Sequence, residues 1–347
     1  MKGVATKLHL SGERVVVVAE EATDLVVGIF RGVGCSTETA RVIAEHLADS
    51  SLCGVESHGL MRTLQYVEQF QTGYMRADAV PRLGATGDGC HEVDGGGGTG
   101  ITAMGLAIDH GCRTAREAGL SALAIRNVGH TGRLGAFADT AAENGCMTIM
   151  MGGGNRQKWR QVAPHGGRRA MLPTNPYCIG IPGGDQGPVV LDFATSRIAG
   201  GWIYAARSAG ALLPEDSVID RDGRPTRDPE DYFNGGAILP AGGQKGYALA
   251  LMAELIAEAL LGPVTTEANW LLLTLDTGRW RDAAQMRAAA EEILAELRDC
   301  PPAPGFDRVE VPGERERAHR QASDGKIAIP QQTWEQILDL AQRLGTL

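Results

Sequence analysis

Across residues 120–195, short apolar runs alternate with helix-patterned stretches and glycine-marked turns, and this alternation limits the fold more than any other feature. Residues 120–125 read as a strand, 134–144 as a helix stopped by Gly145, and 146–151, 177–181 and 189–193 as further strands. Strands interleaved with helices are the pattern of an α/β fold. The 347 residues, 43% hydrophobic and 22% charged, suffice for a large core and about two domains.

The flanks carry helical spacing. A short strand at 15–19 precedes helices at 21–31 and 35–50. In Glu56-Ser57-His58-Gly59-Leu60-Met61-Arg62, Ser57 suits an N-cap. That places His58 at the first helical position and Arg62 four residues on, along the same face. Leu60, Leu64, Val67 and Phe70 supply the buried stripe of that helix, and Gly73 ends it. A strand-like stretch at 82–93 follows. Towards the carboxyl end, 220–231 reads as a surface loop, 247–261 as the strongest helix and 271–275 as a strand. Further helices are predicted at 283–298 and 333–344.

Residues 94–100, Asp-Gly-Gly-Gly-Gly-Thr-Gly, satisfy G-x-G-x-x-G at Gly95, Gly97 and Gly100. A Rossmann reading also requires an acidic residue at the end of the next strand, and that strand ends in Arg126-Asn127. An arginine there is compatible with a 2′-phosphate, so this test leaves the question open. Four consecutive glycines match the expression cheaply, however, and no second Rossmann half follows. The run reads as a flexible strand-to-helix turn.

Net charge of −9, from 33 basic and 42 acidic residues, argues against nucleic acid and anionic membrane as partners. Seven scattered cysteines without a C-x-x-C pair fit reduced thiols and a cytoplasmic location. No signal peptide is read at the amino terminus, and the longest apolar stretch, 247–262, carries Glu254 and Glu258. No G-x-S-x-G, H-E-x-x-H or calcium-loop pattern occurs, and His58, His130, His165 and Asp192 lack ligand spacing, so no metal is expected.

What remains is anion chemistry. His58 with Arg62 suits a substrate whose oxygen gains or loses a proton beside a carboxylate. His130 lies on a glycine-flanked loop at the end of a strand, where α/β sheets place ligands. Asp192 ends an apolar strand, serving either as a local cap or to orient a partner. Gly242-Gly243-Gln244-Lys245-Gly246 opens a helix and could cradle phosphate.

Taken in order, several motifs resemble the malate/L-lactate dehydrogenase family that is distinct from the Rossmann-type lactate dehydrogenases. They are Glu56-Ser57-His58-Gly59 with Arg62, Gly129-His130-Thr131-Gly132-Arg133-Leu134-Gly135, and Pro164-His165-Gly166-Gly167. Thr174-Asn175-Pro176, Leu191-Asp192-Phe193-Ala194-Thr195-Ser196, Lys245-Gly246-Tyr247 and Pro312-Gly313-Glu314 complete the set. The resemblance implies a mixed-sheet, non-Rossmann cofactor domain at 81–246. A helical domain would come from 1–80 together with 247–347. It implies NAD or NADP as cofactor, a small anionic 2-hydroxy or 2-oxo acid as substrate, and a homodimer. A cyclic imino acid or sugar acid substrate, or dinucleotide binding without the usual activity, are the alternatives; a metal-dependent hydrolase on His58, His130 and Asp192 is a third class.

By the same resemblance His58 is the proton-exchanging residue with Ser57 beside it, and Arg62 clamps the carboxylate. His130 lies across the pocket, Thr174 lines the substrate site, and Asp192 orients a catalytic group or the cofactor. Pro188, Val189, Val190, Leu191, Asp192, Phe193, Ala194, Gln244, Lys245, Gly313, Glu314 and Arg315 hold the dinucleotide. The chain departs from the family pattern at Gln244, where many members have histidine, and at Gly200-Gly201-Trp202, where the usual Gly-Lys is missing.

Overall fold

The computed structural model describes residues 13–87, 90–208 and 210–347. Strand β1 (Arg14–Val18) runs into α1 (Ala19–Gly32), and α2 (Thr37–Leu52) follows. The Ser36 hydroxyl caps α2 by accepting the Thr39 N–H. A single 3₁₀ turn, Glu56–His58, separates α2 from α3 (Arg62–Gln71). Then come β2 (Arg82–Gly87), β3 (Cys90–Asp94), α4 (Gly100–Ala118), β4 (Leu120–Val128), α5 (Leu134–Glu143), β5 (Cys146–Gly154), β6 (Pro176–Ile181) and β7 (Val189–Ala194).

A small excursion holds α6 (Gly200–Ser208), β8 (Val218–Ile219), β9 (Pro225–Thr226), α7 (Pro229–Phe233) and β10 (Ala237–Ile238). Residues 220–231 are thus not simply loop. Asp220 closes a tight turn by accepting the Asp222 and Arg224 N–H groups, and Asp228 caps α7. The chain continues through α8 (Gln244–Glu254), a π-helical extension Leu255–Leu260, β11 (Ala268–Asp276), α9 (Ala283–Arg298), α10 (Glu314–Ala322), β12 (Lys326–Pro330) and α11 (Gln331–Leu344).

Seven strands form the main sheet in the order β2-β3-β4-β11-β5-β6-β7. Only the β3–β4 pair is parallel; β11 runs antiparallel to both neighbours. Strand β11, from the segment that the sequence reading placed with the helical domain, therefore belongs to the middle of the sheet. Its near-continuous apolar run suits a central strand covered on both faces, and its pattern is mostly buried. Helices α4 and α5 cover one face of the sheet, while α8 and its extension pack on the other. The amino- and carboxyl-terminal segments meet through β1–β12 pairing and the packing of α1 on α11.

Helix α2 lies over α4 and α5, so both layers share one core. Ile29, Phe30, Ile43, Leu47, Leu60 and Tyr66 from the helical layer join Ile101, Met104, Ile108, Leu123 and Ile125 in a single cluster. Each such side chain contributes roughly 1.5–3 kcal/mol on burial. No helix among the described residues is long and apolar enough to cross a membrane.

The glycine run is a packing device. Its N–H groups are spent internally: Gly95 and Gly97 donate to Arg126 O and Asn127 O, Gly96 to Asp94 Oδ1, Gly98 to Gly95 O and Gly100 to His130 O. Gly129 returns a bond to Gly98 O at 2.7 Å. Arg126 is ion-paired with Glu92 and donates to Leu261 O, so it is already engaged. A Cβ on Gly100 would stand 2.3 Å from Thr131 Oγ1 and 2.7 Å from Gly129 O. The two loops touch backbone to backbone, and this contact fixes the loop bearing His130. Gly100→Ala should therefore cost about 1–3 kcal/mol in urea unfolding. Gly105→Ala, in open space on the same helix, should be neutral or stabilise by up to about 1 kcal/mol.

Candidate active site

The carboxyl ends of β4 and β5 and the start of β11 share one edge of the sheet. Just beyond β4, the His130 ring accepts the Tyr66 hydroxyl at 2.7 Å and the Gly132 N–H at 3.2 Å, both on Nδ1. Because the backbone N–H can only donate, Nδ1 is the acceptor and the neutral ring carries its proton on Nε2. The His58 ring stacks on His130 with centroids 5.3 Å apart and planes at 29°.

The structure corrects the local reading around His58. Ser57 caps no helix, and His58 lies in the 3₁₀ turn, with Gly59 extended (φ −91°, ψ −160°) before α3 starts at Arg62. The turn is held down by Ser51, whose hydroxyl accepts the Leu60 N–H and would clash with any side chain on Gly59. The Ser57 hydroxyl lies 2.9 Å from His58 Nδ1 and fixes the ring. Arg62 reaches back to donate to Ser57 O and to Gln65. His58 and Arg62 are neighbours through this fold-back rather than through helical spacing.

Burial lowers the His58 pKa to about 3, with Arg62, His46 and Arg133 adding to the effect. His130 is lowered in the same direction by burial, Arg62, His58 and His46. Both rings are neutral at pH 7. Glu267 moves the opposite way: burial raises its carboxyl to about 7, offset in part by Arg62 and Tyr74. Tyr66, Tyr74, Glu267 and Arg62 thus share one electrostatic neighbourhood with the two histidines.

Thr174 stands half-buried in the turn before β6, its carbonyl accepting both the N–H and the hydroxyl of Thr195. The next residue, Asn175, has φ +34° and is locked by bonds to Gly154 N–H, Ala250 O and Glu254. Asp192 accepts the Gly135 N–H at 2.8 Å and so caps α5. Its carboxyl is crowded and raised to about 6 by burial, offset by the Gly135 bond and Arg133. Of the two roles left open by the sequence, the local cap is the one present, and its partners are not the histidines. Nearby, buried Arg133 pairs with Asp49 at 2.8 Å, and its N–H donates to His46 Nε2.

Two of the dinucleotide segments meet. Val190 donates to Pro312 O at 3.1 Å, and Gly313, at φ +94°, lies against Val190. Glu314 is committed to Arg298 at 2.7 Å, and Arg315 pairs with Glu316. Beside them Arg317 holds buried Nε and Nη1 atoms without a hydrogen-bond partner, next to Gly187. Its Nη1 lies 3.8 Å from Asp139 Oδ1, a long ion pair that leaves guanidinium donors in this glycine-lined corner to fit a phosphate-bearing ligand. Gln244 and Lys245 stand exposed at the start of α8, where Gly243 lies against the His165 ring. Among the described residues no three His, Cys, Asp or Glu side chains cluster as metal ligands.

Sequence reasoning missed Tyr66, Glu267 and Arg317. Tyr66 is absent from the buried stripe read for that helix (Leu60, Leu64, Val67 and Phe70) and carries no motif of its own. Glu267 precedes an apolar strand, but its importance depends on where β11 enters the sheet. Since the lowered pKa values disfavour the charged rings, stability from His58 and His130 should be present above pH 6.5 and lost as pH falls towards 3. In an NMR titration of the imidazoles, His58 should stay neutral down to at least pH 5, His130 should titrate below the ordinary histidine range, and an anion such as oxamate should raise His58 by offsetting Arg62. Ordinary titration of both near 6.5 would contradict this electrostatic account.

The malate/L-lactate dehydrogenase family model matches residues 17–338. A Delta(1)-pyrroline-2-carboxylate/Delta(1)-piperideine-2-carboxylate reductase of Pseudomonas putida is 32% identical, covering 92% of this chain and 95% of its own. An L-lactate dehydrogenase of Cupriavidus necator is 33% identical, with 87% and 90% covered. The crystal structure of delta1-piperideine-2-carboxylate reductase from Pseudomonas syringae pvar. tomato superimposes with a TM-score of 0.83 at 33% identity, covering 94% of this chain and 99% of that one. Matched by the family model over residues 17–338 and by relatives of 32% and 33% identity along most of their length, this chain belongs to the malate/L-lactate dehydrogenase family.

Proposed function

We propose that the protein is an NAD(P)-dependent oxidoreductase acting at C2 of a small carboxylate, a 2-oxo/2-hydroxy acid or its cyclic imino counterpart. The carrying observation is the grouping of a neutral histidine pair with Arg62 at the sheet edge. In this reading the guanidinium of Arg62 grips the substrate carboxylate. His58, held by Ser57, exchanges the proton at the C2 heteroatom. His130, steadied by Tyr66, closes the opposite wall, and Thr174 lines the pocket.

The nicotinamide, when bound, supplies or accepts the hydride. Pro188 to Ala194, Gly313 to Arg315, and Gln244 with Lys245 hold the dinucleotide, and Arg317 adds donors for its phosphates. Asp192 supports this region from behind by capping α5. The neutral His58 of the free protein is the base form, ready for oxidation of a hydroxy acid. In the reducing direction it acts as the proton donor, and a substrate carboxylate on Arg62 removes the largest influence after burial that disfavours its protonated form.

A homodimer forms part of the reading. It is supported by the apolar side chains Leu249, Met252, Leu255 and Leu260, exposed along α8 and its extension. The alternative, a dinucleotide-binding member without the usual activity, rests on the departures at Gln244 and Trp202.

His58→Ala should lower kcat by about 10²- to 10⁴-fold with a 2-oxo acid while NAD(P)H binding, followed by fluorescence, is kept. Arg62→Lys should act mainly on KM, because a point charge replaces a two-pronged grip. Undiminished turnover in the His58 variant would overturn the assignment.

A further inference from the structure

Glu267 occupies a position that none of the roles above uses. It lies one residue before β11, where its N–H donates to Val128 O at 3.0 Å and its carbonyl accepts the Asn155 N–H at 2.8 Å. Those bonds tie it to the ends of both β4 and β5, two residues from His130 along the β4 path. Its carboxyl is close enough to Arg62, Tyr66 and Tyr74 to act on each electrostatically. Tyr74 is itself oriented by the Trp159 indole N–H at 3.0 Å. The Tyr74 hydroxyl is a hydrogen-bonding neighbour of the Glu267 carboxyl, while its buried Oε2 has no hydrogen-bond partner among the described residues.

An unpartnered buried carboxyl oxygen is unfavourable, and more so when charged. One way to recover that cost is a ligand that brings the missing donor. A guanidinium and a carboxylate that share one electrostatic neighbourhood match a molecule with both a carboxylate and a positively charged nitrogen. Hydroxy and oxo acids offer the second half of this pair no cation.

We propose that Glu267 is a specificity-determining residue that selects cyclic imino acids over 2-oxo acids by holding the protonated nitrogen attached to C2 while Arg62 holds the carboxylate. The inference rests on the reading of Arg62 as carboxylate clamp. The neutral histidines fit it, because an iminium arrives with its own proton: its single N–H is donated to Glu267, and hydride addition at C2 gives the neutral secondary amine without a proton from His58. A purely structural Glu267 would instead affect all substrates alike.

The test compares wild type, Glu267→Gln and Glu267→Asp with Δ1-piperideine-2-carboxylate and with pyruvate, under both reduced dinucleotides. Glu267→Gln should lower kcat/KM for the cyclic imine by about tenfold or more, largely through KM, as expected for a lost charge-assisted bond. Pyruvate turnover should change by less than about threefold, and Glu267→Asp should restore part of the loss. An equal fall for both substrates, or none for either, overturns the proposal. So does a wild type that reduces pyruvate but not the cyclic imine, although the proposed function then stands.

If wild type reduces neither compound, the proposed function falls, and calorimetric binding of L-pipecolate against L-lactate decides the role of Glu267. A preference for L-pipecolate that disappears in Glu267→Gln upholds it; equal binding overturns it.

Discussion

Strand β11 runs antiparallel between β4 and β5, and the rest of the arrangement depends on that pairing. The β4–α5–β5 crossover leaves a gap one strand wide, and a segment about 120 residues later fills it with a nearly continuous apolar run. Because β11 is antiparallel, it begins where its neighbours end. The loop bearing His130, the Asn155 turn and Glu267 therefore meet on one edge. Helix α8 packs on the back of the same strands, and Asn175 bonds to both α8 and β5, so the turn containing Thr174 is held in register with that edge.

The second layer supplies the other half of the site. Helix α2 and the turn after it bring His58, Arg62 and Tyr66 across the strand ends, on a core shared with α4. After burial, Arg62 is the largest influence on both His130 and Glu267. It disfavours protonated histidine and favours ionised glutamate at once. A ligand carboxylate that offset this cation would relax its share of both shifts while the larger effect of burial remained, which would couple binding to protonation state. Such coupling needs no movement of the backbone.

Local elements were legible in the sequence because their signals are local. The Ser36 cap, the stop at Gly145 and the amphipathic stretch of α9 arise within a few residues of one another. The glycine run was also recognised as a turn; its N–H groups serve the neighbouring loop rather than a phosphate. Contacts made at long range were not legible. Helical spacing suggested that His58 and Arg62 share a face, whereas Gly59 breaks the helix and the arginine folds back onto Ser57. Asp192 gave no sign that its partner is an N–H of α5, 57 residues earlier. Glu267 and Tyr66 acquire meaning only when β11 and α3 are placed beside β4. The histidine pair could be nominated from strand-end and motif positions, but its stacking could not.

A crystal structure of the ternary complex with oxidised or reduced dinucleotide and oxamate tests the central claim most directly. The account requires the oxamate carboxylate on Arg62, its C2 oxygen within hydrogen-bond distance, about 2.6–3.2 Å, of His58, and the nicotinamide C4 facing C2. Oxamate bound elsewhere, or Arg62 still turned onto Ser57 and Gln65 with no contact to the ligand, would contradict it.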